Sequence, residues 1–315
     1  MIVNTGQRTD IPAFFAPWLA NRLRAGSVCV RNPFNPQQVS RYRLSPDVVD
    51  VIGFCTKNPE PLFPYFDALE PFGQFWYITI TPYGRDIEPA VPNKHRLLRV
   101  FRELSARVGP QAVCWRYDPI LLSPVYTKAY HLRAFETMAT ALEGATDTVT
   151  ISFIQIYDKL RRNFPEAAEV ALADRIELAG RLVQIAAAHG MTVRLCPPDN
   201  RLAATGVANA GCMTLDLYER AIGSKLDPPA FKPARAACAC YLGCDIGAYS
   251  TCPHLCRYCY ANRDARAVAA NRARHDPASP FLIGGPEQGD RVHDVPQRSW
   301  KVDQLSLFKR DNGGA

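Results

Sequence analysis

Three thiols stand on one short stretch of this chain, Cys252-Pro-His-Leu-Cys256-Arg-Tyr-Cys259. Thiolates are soft ligands, and three of them on one loop suffice to hold three irons of a cubane while a fourth iron keeps no protein ligand. An iron left open in this way is a place for chemistry. The rival is a tetrahedral zinc site, which as a rule closes with two separated Cys pairs. Here the three thiols fall within one loop, and that spacing points to a 4Fe-4S cluster on Cys252, Cys256 and Cys259. His254 lies inside the loop; with three thiolates supplied, it fits a conformational or hydrogen-bonding role better than ligation.

The chain has 11 cysteines, and Cys238, Cys240 and Cys244 crowd in just ahead of the loop. A Cys-x-Cys pair can share a metal. With Cys244, Cys212 or Cys196, the pair Cys238 and Cys240 could hold a second cluster or a zinc ion. Alternatively, Cys238 or Cys240 supplies a fourth ligand to the loop's cluster and closes it. Cys196 and Cys212 read equally well as buried thiols, which pack like small hydrophobes, and the isolated Cys29, Cys55 and Cys114 read as core residues. The N-terminal MIVNTGQRTDIPAFF lacks a basic segment followed by a long apolar run. A cytoplasmic location is expected, where a reducing environment favours metal or catalytic roles over disulfides.

The elements that must position these residues follow from pattern. With 315 residues, 47% of them hydrophobic, the chain can bury one large core unaided. The formal charge of +7 is scattered along the chain, so nucleic-acid binding is not indicated, and no apolar run reaches membrane length. Short apolar runs at residues 2–4, 48–54, 75–79, 112–115, 148–153 and 192–195 read as strands. Amphipathic helices are expected at 11–24, 93–108, 126–142 and 166–189. Six such βα units, with no glycine-rich dinucleotide fingerprint, predict an α/β fold that is a complete or partial TIM-type (β/α) barrel.

In a barrel the loops after the strands carry function. They place Arg8, Asp10, Lys57, Tyr83, Arg116 and Asp118 on one rim. Pro59, Gly84 and Pro119 are turn chemistry, and ion pairs within the barrel account for the rim charges as well as a site does. After Pro197 the pattern breaks into a helix at 214–223 and a connection at 226–235. A strand at 246–249, the cysteine loop and a helix at 261–275 follow. The organisation expected is a barrel body over 1–236, a cluster-binding segment over 237–275 that closes the same domain, and a surface-wrapping tail over 276–315. Phe281, Leu282, Ile283 and Trp300 dock that tail, with disorder expected at 311–315.

The loop, with an aromatic residue just before its last cysteine, resembles the signature of the radical S-adenosylmethionine superfamily. That resemblance implies an open iron that chelates S-adenosylmethionine and cleaves it reductively to a carbon radical. It further implies an electron donor such as ferredoxin or flavodoxin and a small-molecule or peptide substrate. In those barrels the cluster loop follows the first strand. Here it comes late in the chain, which implies a circularly permuted barrel or one closed from its C-terminal side.

A wider resemblance rests on Arg8-Thr9-Asp10-Ile11-Pro12-Ala13-Phe14, Thr56-Lys57-Asn58-Pro59, Thr79-Ile80-Thr81-Pro82-Tyr83-Gly84, Trp115-Arg116-Tyr117-Asp118-Pro119-Ile120, Ile151-Ser152-Phe153, and Asp245-Ile246-Gly247-Ala248-Tyr249 through Cys259-Tyr260-Ala261-Asn262. In this order they resemble the bacterial family called domain of unknown function eighteen-forty-eight, known mainly for its C-terminal cysteine cluster. Cys55 departs from the family's expected tryptophan, and Asn4-Thr5-Gly6-Gln7 from a Ser- and Arg-rich first loop. Under the radical reading Tyr258 lies beside the adenine, Lys57 and Tyr83 join the cofactor site, and Arg8, Asp10, Arg116 and Asp118 orient substrate or the cofactor carboxylate. The alternatives are an electron carrier or redox sensor with a closed cluster, and a zinc-stabilised barrel that acts as a binding module.

Overall fold

A computed structural model describes residues 1–230 and 238–302. In chain order come β1 (Ile2–Asn4), α1 (Ile11–Phe14), α2 (Ala16–Ala25), β2 (Ser27–Arg31), β3 (Gln38–Arg43), β4 (Val51–Thr56), β5 (Gly73–Thr79) and α3 (Lys94–Val108). Next are β6 (Val113–Ile120), α4 (Lys128–Leu142), β7 (Thr148–Phe153), α5 (Asp158–Asn163), α6 (Leu172–Ala188) and β8 (Thr192–Leu195). The described chain ends with α7 (Leu215–Ile222), β9 (Cys244–Asp245), α8 (Ala265–Arg272) and β10 (Arg291–Asp294).

Seven strands form one parallel sheet in the order β8-β7-β6-β5-β4-β1-β9. From β1 to β8 each strand of this sheet lies beside its predecessor, so every crossover steps in the same direction. Right-handed crossovers then put their helices on a single face. The core agrees. Alternate strand residues such as Ile52, Trp76, Trp115 and Ile151 pack with Trp18, Phe101, Phe135 and Leu182 of the helices. The intervening residues, among them Val51, Phe75, Tyr77 and Cys114, face Met213, Leu217 and Tyr218 at and around α7. This is the two-residue period of a strand, sorting side chains between two environments.

The helices start where their caps dictate. Asn93 Oδ1 accepts the His95 amide at 2.9 Å to open α3, and Thr127 Oγ1 accepts the Tyr130 amide at 3.2 Å to open α4. The expected helix over 11–24 is instead two, broken at Phe15, because Pro17 has no N–H to give to the turn before it. The expected helices at 166–189 and 261–275 are trimmed to α6 and α8.

The described residues form an open sheet and no closed barrel. Past β8 a single bridge, Arg194 to Ala208, continues the sheet before the chain turns into α7. At the other edge β9 pairs with β1 over just two residues. The strand expected at 246–249 is not formed. Asp245 accepts the amides of Gln7 and Gly247 at 2.8 and 2.9 Å, which turns the chain out of the sheet. Gly243, at φ +60, enters β9 with its α-carbon so near Ile2 that a Cβ would lie 2.1 Å from the Ile2 carbonyl oxygen.

A second sheet, β10-β3-β2, was not foreseen. Its β10 comes from the tail, and the Phe281 and Leu282 side chains are buried beside it. Trp18 Nε1 donates to the Ser279 carbonyl at 3.0 Å. The expected disorder at 311–315 and part of the connection at 226–235 lie outside the described residues. No described helix is long and apolar enough to cross a membrane.

Candidate functional site

Where the strands end, the face opposite the helices turns polar. Cys55 on β4, Thr79 on β5, Arg116 and Asp118 on β6, Ser152 on β7 and Cys196 after β8 all line one cavity of about 500 Å³. They share it because each occupies the same phase of the strand alternation. A cleft beyond the carboxyl ends of parallel strands is where α/β sheets bind ligands. Arg116 Nε donates to Asp118 at 2.7 Å, and the Ser152 hydroxyl donates to the same carboxylate.

The cysteine loop forms another wall. Cys252, Cys256, Tyr258 and Cys259 line the cavity, with Gln7, Thr9, Asp10 and Lys57. The loop is held by its own backbone and by its neighbours. Arg257 N donates to the Ile87 carbonyl at 3.0 Å, Cys259 N to the Cys256 carbonyl at 3.0 Å, and Asn262 Nδ2 to the Cys252 carbonyl at 2.8 Å. Leu255, at φ 53, makes the tight turn ahead of Cys256. The Ala261 amide donates to Cys259 Sγ at 3.3 Å. Burial pushes the Cys252 thiol well up, and that of Cys256 to about 12, so a metal must displace their protons to bind.

His254 is buried, its Nε2 3.2 Å from Asp10 Oδ2 and its Nδ1 3.2 Å from the Ala90 carbonyl, a loop-holding role. Asp10 is occupied in the same way. Its carboxylate accepts from the Ala13 amide at 3.2 Å, capping α1, and from the Lys57 amide at 2.8 Å. The Lys57 ammonium donates to Glu88 Oε1 at 2.7 Å, and Glu88 also gathers Lys94, Thr81 and the Tyr258 hydroxyl. Burial opposes the Glu88 charge, but the two ammonium groups outweigh it and hold the carboxyl down at about 2.

Arg8 and Tyr83 are not brought to the cavity wall. Arg8 Nε lies 3.6 Å from Asp245, its guanidinium over the Tyr249 ring, and it helps to hold the turn after β9. Tyr83 is buried. Its hydroxyl donates to the Pro119 carbonyl at 2.7 Å and accepts the Leu121 amide at 3.0 Å.

The second group of thiols is sharper than its sequence suggested. Cys196, Cys212 and Cys240, all buried, have sulfurs mutually within 4.8 Å, a group able to hold a metal ion. Cys196 to Cys212 is 3.3 Å and Cys212 to Cys240 is 3.1 Å. Cys240 thus keeps its place as a candidate ligand, joined by two thiols that could equally have been core. Cys238 lines the same cavity without belonging to the three, and Cys244 sits on β9. The loop's three sulfurs do not form such a group among the described residues. That difference matters, because two sulfurs each about 2.3 Å from one ion cannot lie more than about 4.6 Å apart. Gln7 Nε2 and Thr9 Oγ1, buried beside the loop, have no hydrogen-bond partner among the described residues.

Among curated proteins, none matches this chain. A family profile does match, over residues 2–261, a span that takes in β1 to β9, both thiol groups and the cavity between them, and the chain therefore belongs to the family described as Domain of unknown function (DUF1848).

Proposed function

We propose that this chain is an iron–sulfur enzyme of the radical S-adenosylmethionine type, in which Cys252, Cys256 and Cys259 hold a 4Fe-4S cluster. The observation that carries the reading is the placement of the three loop thiols. They line a cavity at the strand ends together with Arg116, Asp118 and Ser152, and they are spaced too widely for one ion. A donor set of three thiols fits such a cluster and leaves one iron without a protein ligand. When bound, the cluster would supply a single electron for reductive cleavage of S-adenosylmethionine.

The chain's own residues account for the rest. Lys57 and Tyr258, both fastened to Glu88, present a cation and an aromatic face beside the loop, suited to a carboxylate and an adenine. The unpartnered Gln7 Nε2 and Thr9 Oγ1 offer a donor and a hydroxyl on the same wall. Arg116, paired with Asp118, lines the same cavity, where it can orient an anionic group of a small-molecule or peptide substrate. Closure of the cluster by Cys240 has less support, since that thiol is engaged with Cys196 and Cys212. Strands in sequential order with their helices on one face support a partial, circularly permuted (β/α) barrel whose loop comes last.

Anaerobic purification with iron and sulfide analysis tests the reading, followed by electron paramagnetic resonance of the reduced protein with and without S-adenosylmethionine. The expected result is four irons and four sulfides per chain, lost in Cys256→Ser, and a spectrum that changes when S-adenosylmethionine is added. A loop without iron sinks the reading. A cluster spectrum indifferent to S-adenosylmethionine points instead to electron transfer or redox sensing.

A further inference from the structure

Cys196, Cys212 and Cys240 come from three separate parts of the chain, and each is anchored by the backbone. Cys196 N donates to the Ile151 carbonyl of β7 at 3.1 Å, Thr214 N to the Cys212 carbonyl at 2.9 Å, and Tyr241 N to the Met213 carbonyl at 2.8 Å. Arg194 on β8, itself buried, binds the Gly211 carbonyl at 3.0 Å, Thr214 Oγ1 at 2.8 Å and Asp216 at 2.9 Å, which fixes the turn that carries Cys212. Thiols that merely pack as small hydrophobes have no need to converge. These three do, and all three reach the cavity.

We infer that the three thiols form a site for one thiophilic divalent ion of the zinc class, whose fourth position opens to the cavity and takes a thiol-bearing ligand. The spacing decides the number of ions. Tetrahedral ligation at about 2.3 Å places sulfurs roughly 3.8 Å apart, close to the 3.1 and 3.3 Å between these thiols. A cubane hangs its ligand sulfurs on different irons and needs a wider frame.

Charge agrees. Three thiolates around a divalent ion leave one negative charge, and the Arg116 guanidinium, paired with Asp118, lines the cavity on which the thiols open. Three protein ligands with an open position is the pattern of zinc sites that act on a bound molecule; four closed ligands is the pattern of structural ones. The mutual group holds three sulfurs, and its free side is the cavity that the cysteine loop also lines. A thiol that coordinates there loses its proton to solvent and stays as a thiolate, since a metal-bound thiol is deprotonated outright. The site thus selects a sulfur-bearing small molecule or peptide and holds it in the cavity that Cys252, Cys256 and Cys259 also line.

The test uses the full chain carrying Cys252→Ala, Cys256→Ala and Cys259→Ala together, which removes the loop's ligands and so separates this inference from the cluster reading. Cobalt(II) is the probe and far-ultraviolet circular dichroism the check on folding. The expected result is one cobalt per chain with thiolate charge-transfer and tetrahedral ligand-field absorption. The absorption should shift on adding 2-mercaptoethanol, be abolished by a further Cys212→Ser, and be retained with Cys238→Ser. Several irons with acid-labile sulfide in that background, no stoichiometric cobalt, indifference to 2-mercaptoethanol, or loss of the ion with Cys238→Ser would each overturn the inference. If the triple variant does not fold, zinc is measured in the loop-intact chain. Cys240→Ser should then lose one zinc per chain at unchanged iron and sulfide, and unchanged zinc refutes the site.

Discussion

Glu88 keeps its negative charge in a place where burial opposes it, because Lys57 and Lys94 stand on either side and Thr81 and Tyr258 donate to the same carboxylate. Removing the charge leaves two ammonium groups unpaired in the protein interior. Glu88→Gln should therefore destabilise the fold by about 3–5 kcal/mol, read as a lower urea midpoint, and should release the cysteine loop through Tyr258. A fall of less than about 1 kcal/mol would mean that solvent already screens the cluster. Glu88 illustrates what a linear reading misses. Lys57 and Tyr258 were legible as residues next to a strand and inside a cysteine motif, but Glu88 is one acid in a proline-rich turn, with no spacing to set it apart. Cys240 was legible in its Cys-x-Cys pair, whereas Cys196 and Cys212 read equally well as core thiols. Their intervals follow no ligand motif, and folding alone brings them together.

Six of the seven strands of the main sheet, β9 excepted, were legible because burial on both faces writes apolar runs into the sequence, clearest in Val51–Thr56 and Gly73–Thr79. The strands β2, β3 and β10 were not. They alternate polar and apolar residues at the surface, and β3 finds its parallel partner 253 positions away. Connections between elements carry their own chemistry. His131 of α4 is buried, its Nδ1 2.8 Å from the Tyr117 hydroxyl on β6 and its Nε2 2.8 Å from the Leu121 carbonyl, an arrangement that suits the neutral ring. Burial pushes it down to about 4 from an ordinary value of 6.5. The unfolded chain takes up this proton first as pH falls, so the contribution is whole above pH 6.5 and drains away towards pH 4. Up to about 3 kcal/mol of stability should be lost across that window, and the loss should flatten in His131→Gln when urea midpoints are compared by pH. Parallel profiles for the two proteins would refute this assignment.

Across the whole molecule, the central strands are paired on both sides, whereas β9 holds by two residues and the Cys212 turn by Arg194. Stability should be graded accordingly. Stripping metal with a chelator should raise amide exchange around residues 211–214 and 238–245 while β4 to β7 stay protected, as followed by mass spectrometry. Uniform protection before and after chelation would count against thiol-bound metal at either group. A polypeptide grows from its N-terminal end, and domains acquire order as they emerge. The order of the thiols along the chain thus imposes a schedule. Cys196 and Cys212 are laid down against a trough that stays uncovered until Cys240 and the loop behind it are synthesised. On the two readings proposed above, metal and cluster would be inserted only after that last segment is made, as a finishing step of biogenesis.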